Sequence, residues 1–146
     1  MHSIVCALMH CVFSTKNRRS TIKPEMQLRL WEFMGGIARQ NGAVALAVGG
    51  VEEHVHLLLS LSANTPIAKV MREVKAGSSK FMHETFAVDF AWQDGYGAFS
   101  IGASQKEHTV QYIANQAEHH KKRSFEEEFG ALCRLYGVEL SGQSPA

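Results

Sequence analysis

The 146 residues of the chain are 45% hydrophobic and 20% charged, which predicts one globular domain with a buried core. No apolar run reaches the roughly 18 residues of a membrane span, and the N-terminus lacks the basic segment and cleavage site of a secretory signal. The three cysteines, Cys6, Cys11 and Cys133, have no C-x-x-C spacing, so we expect reduced thiols in a cytoplasmic protein. The domain is predicted over residues 1–140, with a short polar tail at 141–146.

The net charge of +1 is unevenly distributed along the chain. Residues 1–82 contain ten Lys and Arg against five Glu, a balance of +5, and residues 83–146 contain five against nine Asp and Glu, a balance of −4. A cationic half on a nearly neutral chain is typical of a protein with one surface that faces an anionic partner. Ordinary solvated charge explains the asymmetry equally well.

Hydrophobic periodicity and turn residues predict a mixture of strands and helices. In chain order they are a strand at 3–13, a helix at 24–40, strands at 43–48 and 51–60, a helix at 66–86, one or two short strands within 90–101, and helices at 104–119 and 124–136. This βαββαβ order predicts an α+β fold with a ferredoxin-like antiparallel sheet and additional C-terminal helices.

Local signals mark the ends of several elements. Gly49-Gly50 predicts the turn of a hairpin, and Thr65-Pro66 supplies a cap and a first-turn proline for the helix that follows. That helix is expected to bend after Gly77. The pairs Ser104–Glu107 and Ser124–Glu127 have the spacing of capping boxes and therefore predict two helix starts.

The segment at 51–60 contains His54-Val55-His56. Side chains on a strand alternate with period two, so the two histidines share one face, and Val55, Leu57, Leu59 and Leu61 share the other. The apolar face can be buried while the opposite face presents two neutral nitrogen ligands, which make half of a metal site. A hydrogen-bonded surface pair is the alternative for this motif taken alone.

The helix predicted at 104–119 carries Tyr112 and Gln116, which are four residues apart and thus one turn apart on one face. We expect this face to point away from the helix's apolar stripe, either into an active site of this or another subunit, or into solvent as on an ordinary amphipathic helix. The apolar stripe is predicted at Val110, Ile113, Ala114 and Ala117.

Two imidazoles and a neutral amide offer N, N and O ligands. This set suits Mg²⁺ or Mn²⁺ when water and a phosphate oxygen complete an octahedron. No protein ligand in it is charged, so the ion is expected to bind weakly until an anionic substrate arrives. Tyrosine, with an unperturbed pKa of about 10, is a poor nucleophile near neutrality, and a divalent cation helps it to form phenolate while polarising the phosphate.

These motifs resemble those of a known protein family. The histidine pair resembles the His-hydrophobic-His motif of HUH nucleases, and Tyr112-x-x-x-Gln116 resembles the catalytic helix of their single-tyrosine branch. The chain is similar to the insertion-sequence-200-like transposases and to the REP-associated tyrosine transposases. The resemblance extends over residues 10–19, 53–58, 90–100 and 112–120.

The resemblance implies a mechanism and a set of partners. His54, His56 and Gln116 would bind Mg²⁺ or Mn²⁺, and Tyr112 would attack single-stranded DNA that contains imperfect hairpins, leaving a 5′-phosphotyrosine and a free 3′-OH. It also implies a homodimer in which the tyrosine helix of one subunit can serve the histidine pair of the other. The family often has Asp or Asn before the pair, and Glu53 at this position could orient a ligand or be an additional one.

Seven cations are candidates for contact with phosphate. Three lie in the loop after the first strand, and four lie at near-helical spacing on the helix after Thr65, where the family meets a DNA hairpin. Solvated surface positions are the alternative for each. The candidates are Lys16, Arg18, Arg19, Lys69, Arg72, Lys75 and Lys80.

Two other functions are compatible with the motifs. One is a domesticated relative that binds structured DNA or RNA without cutting it, although the complete set of His54, His56, Tyr112 and Gln116 disfavours this. The other is a metal hydrolase in which Glu53 and the histidines activate water, so that the product has a free 5′-phosphate.

Overall fold

The computed structural model describes residues 2–139, so the tail predicted at 141–146 lies outside the described residues. Four strands form one antiparallel sheet: β1 (Leu8–Ser14), β2 (Ala43–Gly50), β3 (His54–Leu61) and β4 (Gly97–Ile101). Their order across the sheet is β2-β3-β1-β4. This is the order of a ferredoxin-like βαββαβ sheet, so the predicted fold class is confirmed.

Five α-helices cover the two faces of the sheet: α1 (Pro24–Gln40), α2 (Ile67–Phe86), α3 (Lys106–Ala114), α4 (Gln116–Lys122) and α5 (Phe125–Leu135). Short 3-10 turns precede α1 and α3, at Lys16–Arg18 and Ala103–Gln105. Within residues 2–139, no helix is long and apolar enough to cross a membrane.

The main core lies between the sheet and the pair α1 and α2. β3 alternates as predicted, because Val55, Leu57 and Leu59 are fully buried in this core while the histidines point to the other face. Gly77 lies within a continuous α2, where we predicted a bend. A Cβ at this position would lie 2.6 Å from Ile37 Cδ1, so the glycine allows α1 and α2 to approach closely.

The opposite face of the sheet is covered by α3 and α5. Leu58 packs with Leu8 and Ile113, and Val12 and Phe99 pack with α5. Gly49, predicted as a turn residue, belongs to β2. A Cβ there would lie 2.6 Å from the carbonyl oxygen of Ile113, so this glycine admits the backbone of α3, and the hairpin turn lies at 51–53.

Two other predicted boundaries were wrong, at the start of β1 and within the helix predicted at 104–119. β1 begins at Leu8, whose partners are Ser60 of β3 and Ile101 of β4. The Ala7 carbonyl still accepts a hydrogen bond from the Leu61 amide, at 2.9 Å, but residues 3–7 are not part of the strand. The one or two short strands predicted within 90–101 are one strand, Gly97–Ile101, which follows a left-handed residue at Gly95 (φ 85°). The helix predicted at 104–119 is divided at Asn115 (φ −101°, ψ 25°), and Ser104 makes no capping bond in it.

Candidate active site

His54 and His56 are buried between the sheet and the C-terminal helices, with exposed fractions of 1% and 0%. The Nε2 atom of His54 lies 3.0 Å from Oε1 of Gln116, the first residue of α4. The division of the helix at Asn115 therefore places the amide directly above the histidine pair. All three predicted metal ligands come together at one point within a single chain.

Glu128 of α5 lies at the centre of this cluster, although it was not among the predicted site residues. Its Oε1 atom is 3.2 Å from His54 Nε2 and 3.1 Å from His56 Nε2. Its Oε2 atom is 3.3 Å from Gln116 Nε2. One carboxylate therefore contacts all three predicted ligands.

The hydroxyl of Tyr112 donates a hydrogen bond to Glu128 Oε2. The ring lies edge-on to His56, with centroids 5.8 Å apart, and stacks on His119 at 4.4 Å. Tyr112 is thus held against the histidine pair of its own chain.

The predicted apolar stripe of this helix is corrected accordingly. The side chains buried on the sheet are Thr109, Ile113 and Gln116, whereas Ala114 and Ala117 are exposed. The sheet below is polar at the histidine pair, so the helix places its polar residues there instead of its alanines.

The outer nitrogens of the two imidazoles differ in their contacts. His10 on β1 is buried, and its Nε2 lies 2.8 Å from His56 Nδ1. The Nδ1 atom of His54 is buried and has no hydrogen-bond partner among the described residues. The nearest carboxylate oxygen is Glu53 Oε1, at 3.8 Å, which also lies 3.5 Å from His120 Nε2.

Burial and hydrogen bonds together set the protonation of this site. Burial lowers the pKa of His10 to about 3, with His56 adding to the shift, and it lowers the pKa of His56 in spite of the hydrogen bond that His56 donates to Glu128. For Tyr112, burial and then the hydrogen bond to Glu128 raise the pKa above its usual value. Burial also raises the pKa of Glu128, but the hydrogen bonds from His54 and His56 outweigh it and hold this pKa below its usual range. The site therefore contains neutral His10 and His56 rings, a protonated phenol and an ionised carboxylate.

The capping box at the start of α5 explains the position of Glu128. The Ser124 side chain accepts from the Glu127 amide, and the Glu127 side chain accepts from the Ser124 amide. This fixes the helix register, so Glu128 lies one turn after Phe125 at the edge of the apolar stripe, and both residues are buried. A lone acid on an apolar helix stripe indicates a carboxylate with a buried partner, and this signal was available in the sequence.

His10 could have been noticed in a similar way. It is a polar residue in the middle of a largely apolar strand. Its side chain lies on the same face of the strand as Leu8 and Val12, two residues before and after it. Its partner, however, depends on the antiparallel register that places Val12 opposite His56, and that register is a property of the folded sheet.

The predicted phosphate contacts fall into two groups. The loop at 16–19 follows β1 directly beside the site, since the Thr15 amide donates to the Glu53 carbonyl at 2.8 Å. Lys16 and Arg19 line a pocket of about 400 Å³, and Arg18 forms an ion pair with Glu126 of α5.

The cations of α2 lie on the helical layer across the sheet from the histidine pair. Lys69, Arg72 and Lys80 are exposed, and the last two pair with Glu73 and Glu84. Lys75 is half-buried and donates to the carbonyls of Gln93 and Gly95, at 2.7 and 2.6 Å. The α2 group is therefore remote from Tyr112, and Lys75 is already bound within the protein.

The donor set can be tested for its fit to a divalent metal. His54, His56 and Glu128 present ligand atoms within 4.8 Å of one another. If both Nε2 lone pairs bind an ion, each ring proton must lie on Nδ1. His10 can then accept from His56, and the otherwise unpartnered Nδ1 of His54 faces the Glu53 carboxylate. The residues therefore fit a metal.

A four-stranded sheet with two histidines on a central strand and a tyrosine helix above them defines the HUH class of fold. A family model described as IS200-like transposase matches residues 4–116, so the chain belongs to the IS200-like transposase family. The match ends at Gln116, and Glu128 lies beyond it.

Individual relatives agree with this membership. The chain is 23% identical over 114 residues to the ISDra2 transposase TnpA of Deinococcus radiodurans, which covers 73% of this chain and 81% of the relative. A crystal structure of a transposase from D. radiodurans R1 superposes with a TM-score of 0.65 at 24% identity, covering 80% of this chain and 95% of that one. A REP-associated tyrosine transposase bound to a REP hairpin gives 0.62 at 20% identity, covering 82% and 72%. These structural likenesses show a shared fold.

Proposed function

We propose that the chain cleaves and rejoins single-stranded DNA through a covalent 5′-phosphotyrosine at Tyr112, with Mg²⁺ or Mn²⁺ bound by His54, His56 and Gln116. One observation carries the proposal: the Tyr112 hydroxyl and all three ligand side chains converge on the Glu128 carboxylate. A nucleophile within reach of a metal-binding cluster is the arrangement that phosphoryl transfer to tyrosine requires.

The bond changes in this reaction balance without external energy. The Tyr112 oxygen loses its proton and forms a bond to phosphorus, while the bond from phosphorus to the 3′ oxygen breaks and that oxygen takes up a proton. A 3′-OH later attacks the phosphotyrosine and restores the phenol. A bound divalent ion would polarise the phosphate and offset the developing negative charge. His119 limits the movement of the tyrosine by stacking on its ring.

The DNA is proposed to contact the protein in two places. The loop at 16–19 would bind the strand near the scissile phosphate, since it adjoins both Glu53 and α5. Lys69, Arg72 and Lys80 would bind a remote part of the DNA, such as a hairpin stem. The relative whose structure contains a REP hairpin supports a hairpin as ligand.

We also propose a homodimer, as the family resemblance implies. Within one chain, Tyr112 already lies against its own His56, which supports tyrosine action on the same subunit's site. Sedimentation velocity with and without hairpin DNA measures the oligomeric state.

The test uses single-stranded DNA with an imperfect hairpin flanked by random sequence, labelled at its 3′ end. With Mg²⁺ or Mn²⁺, the wild-type chain is expected to form a labelled protein adduct that survives denaturing electrophoresis. Tyr112→Phe should abolish the adduct and retain hairpin binding, because only the nucleophilic oxygen is removed. Tyr136→Phe, a tyrosine that stacks on Phe99 outside the site, is the matched control and should form the adduct.

Other outcomes identify other functions. An undiminished adduct in Tyr112→Phe would show that Tyr112 is not the nucleophile. Cleavage without any adduct, with a free 5′-phosphate, would indicate a metal hydrolase. Binding of the hairpin without cleavage by the wild-type chain would indicate a non-cutting binding protein.

A further inference from the structure

Glu128 has no counterpart among the predicted ligands. It is a buried carboxylate, 4% exposed, on a helix beyond the residues that the family model matches. Neither oxygen faces a Lys or Arg in the contacts described; both face groups of the site. A buried charge of this kind requires charged or strongly polar partners, and here those partners are the proposed metal ligands.

The spacing of the ligand atoms is that of neighbours around a single ion. Bonds of about 2.1 Å to a divalent metal place adjacent ligands of an octahedron about 3.0 Å apart. Glu128 Oε1 lies 3.2 Å from His54 Nε2 and 3.1 Å from His56 Nε2, and Gln116 Oε1 lies 3.0 Å from His54 Nε2. The carboxylate therefore stands at the separation of an adjacent ligand from both imidazoles.

We infer that Glu128 is a fourth protein ligand, which supplies the only negative charge among the ligands of the proposed metal site. The inference rests on the metal centre of the proposed function. Oε1 is the oxygen that binds the ion, and Oε2 holds the Tyr112 hydroxyl. One side chain thus connects the nucleophile to the metal.

A charged ligand changes how the site takes up metal. The set of His54, His56 and Gln116 is neutral and depends on the DNA phosphate for charge. With Glu128, the chain binds the ion before DNA arrives. Two imidazoles with a carboxylate also favour Mn²⁺ over Mg²⁺, since Mg²⁺ prefers oxygen ligands and keeps its water.

The experiment measures Mn²⁺ binding to the full chain without DNA, by the loss of the free-ion electron paramagnetic resonance signal. Glu128→Gln keeps the shape of the side chain and removes its charge, and we expect at least a tenfold weaker dissociation constant. Glu126→Gln is the matched control on the same helix, since Glu126 is exposed and two residues away, and its affinity should equal that of the wild type. Thermal melts followed by circular dichroism establish that each variant is folded.

An unchanged affinity in Glu128→Gln would overturn the inference. So would a tighter affinity, because Glu128 would then be an occupant of the metal position that competes with the ion. A second measurement needs no variant: anomalous diffraction from Mn²⁺-soaked wild-type crystals should place the ion within bonding distance of Glu128. An ion bound by the histidines with Glu128 turned away also overturns it.

The two proposals fail in different ways. Tyr112→Phe should retain Mn²⁺ binding, since it removes no ligand. A wild-type chain that binds Mn²⁺ through Glu128 but forms no adduct refutes the proposed function and supports the ligand assignment. If the wild-type chain forms the adduct and Glu128→Gln binds Mn²⁺ as tightly as the wild type, the proposed function is supported and the ligand assignment is refuted.

Discussion

The two faces of the sheet are closed by different interactions, although alternate residues of β3 belong to both. Toward α1 and α2, Val55, Leu57 and Leu59 join a large apolar core. Toward α3 and α5, His54 and His56 belong to a hydrogen-bonded cluster. Two hydrophobic clusters, each smaller than the main core, lie beside it. The first face provides stability through burial, and the second uses part of its area for a polar site. Because the apolar face stabilises the fold, the other face of the sheet can hold polar side chains that contribute less to folding.

The comparison predicts that stability and metal binding can be changed separately. Leu57→Ala should lower the free energy of unfolding by about 2–5 kcal/mol, because it leaves a cavity in the main core. Below the melting transition, its Mn²⁺ affinity should equal that of the wild type. Urea unfolding and Mn²⁺ titration measure the two quantities, and a large loss of Mn²⁺ affinity in the folded variant would contradict the separation of the faces.

Substitution of His10 is expected to weaken metal binding and to change the free energy of unfolding little. His10→Leu removes the acceptor for His56 Nδ1 and should weaken Mn²⁺ binding about 10- to 100-fold, since outer hydrogen bonds orient metal ligands. Unfolding should be affected far less than in Leu57→Ala.

His10→Gln distinguishes a positioning role from a loss of packing. Its amide can still accept from His56 Nδ1, so it should restore most of the affinity. Equal losses in the Leu and Gln variants would show that the hydrogen bond is unimportant.

The smallest effect is expected at the start of α5. Ser124→Ala removes the capping hydrogen bond and should cost about 1 kcal/mol of unfolding free energy. It should also weaken Mn²⁺ binding slightly, because Glu128 is in the first turns of this helix. Ser124→Asp retains an N-cap acceptor and should behave like the wild type in both measurements. A Ser124→Asp variant as unstable as Ser124→Ala would argue against the cap as the cause.

Much of the fold followed from local patterns. The βαββαβ order along the chain, the helix Pro24–Gln40 and the Ser124 capping box were predicted from periodicity and cap residues, and the structure confirms them. Both glycines at 49–50 were wrongly predicted as turn residues and belong to β2, because a glycine that admits a neighbouring backbone has the same sequence signal as one in a turn. The division at Asn115 was missed since asparagine is tolerated inside helices at modest cost.

The sequence by itself determined which residues of β3 share a face, since this follows from the two-residue repeat of a single strand. The helical repeat did not hold from Tyr112 to Gln116, because Tyr112 belongs to α3 and Gln116 begins α4 after the break at Asn115. Only the tertiary structure decided that Glu128 and His10 join the histidine pair. Glu128 reaches the histidines because α5 docks on the sheet, and His10 reaches His56 through the register of β1 against β3. Contacts between residues 46 to 72 positions apart depend on packing and strand pairing, and no local period encodes them.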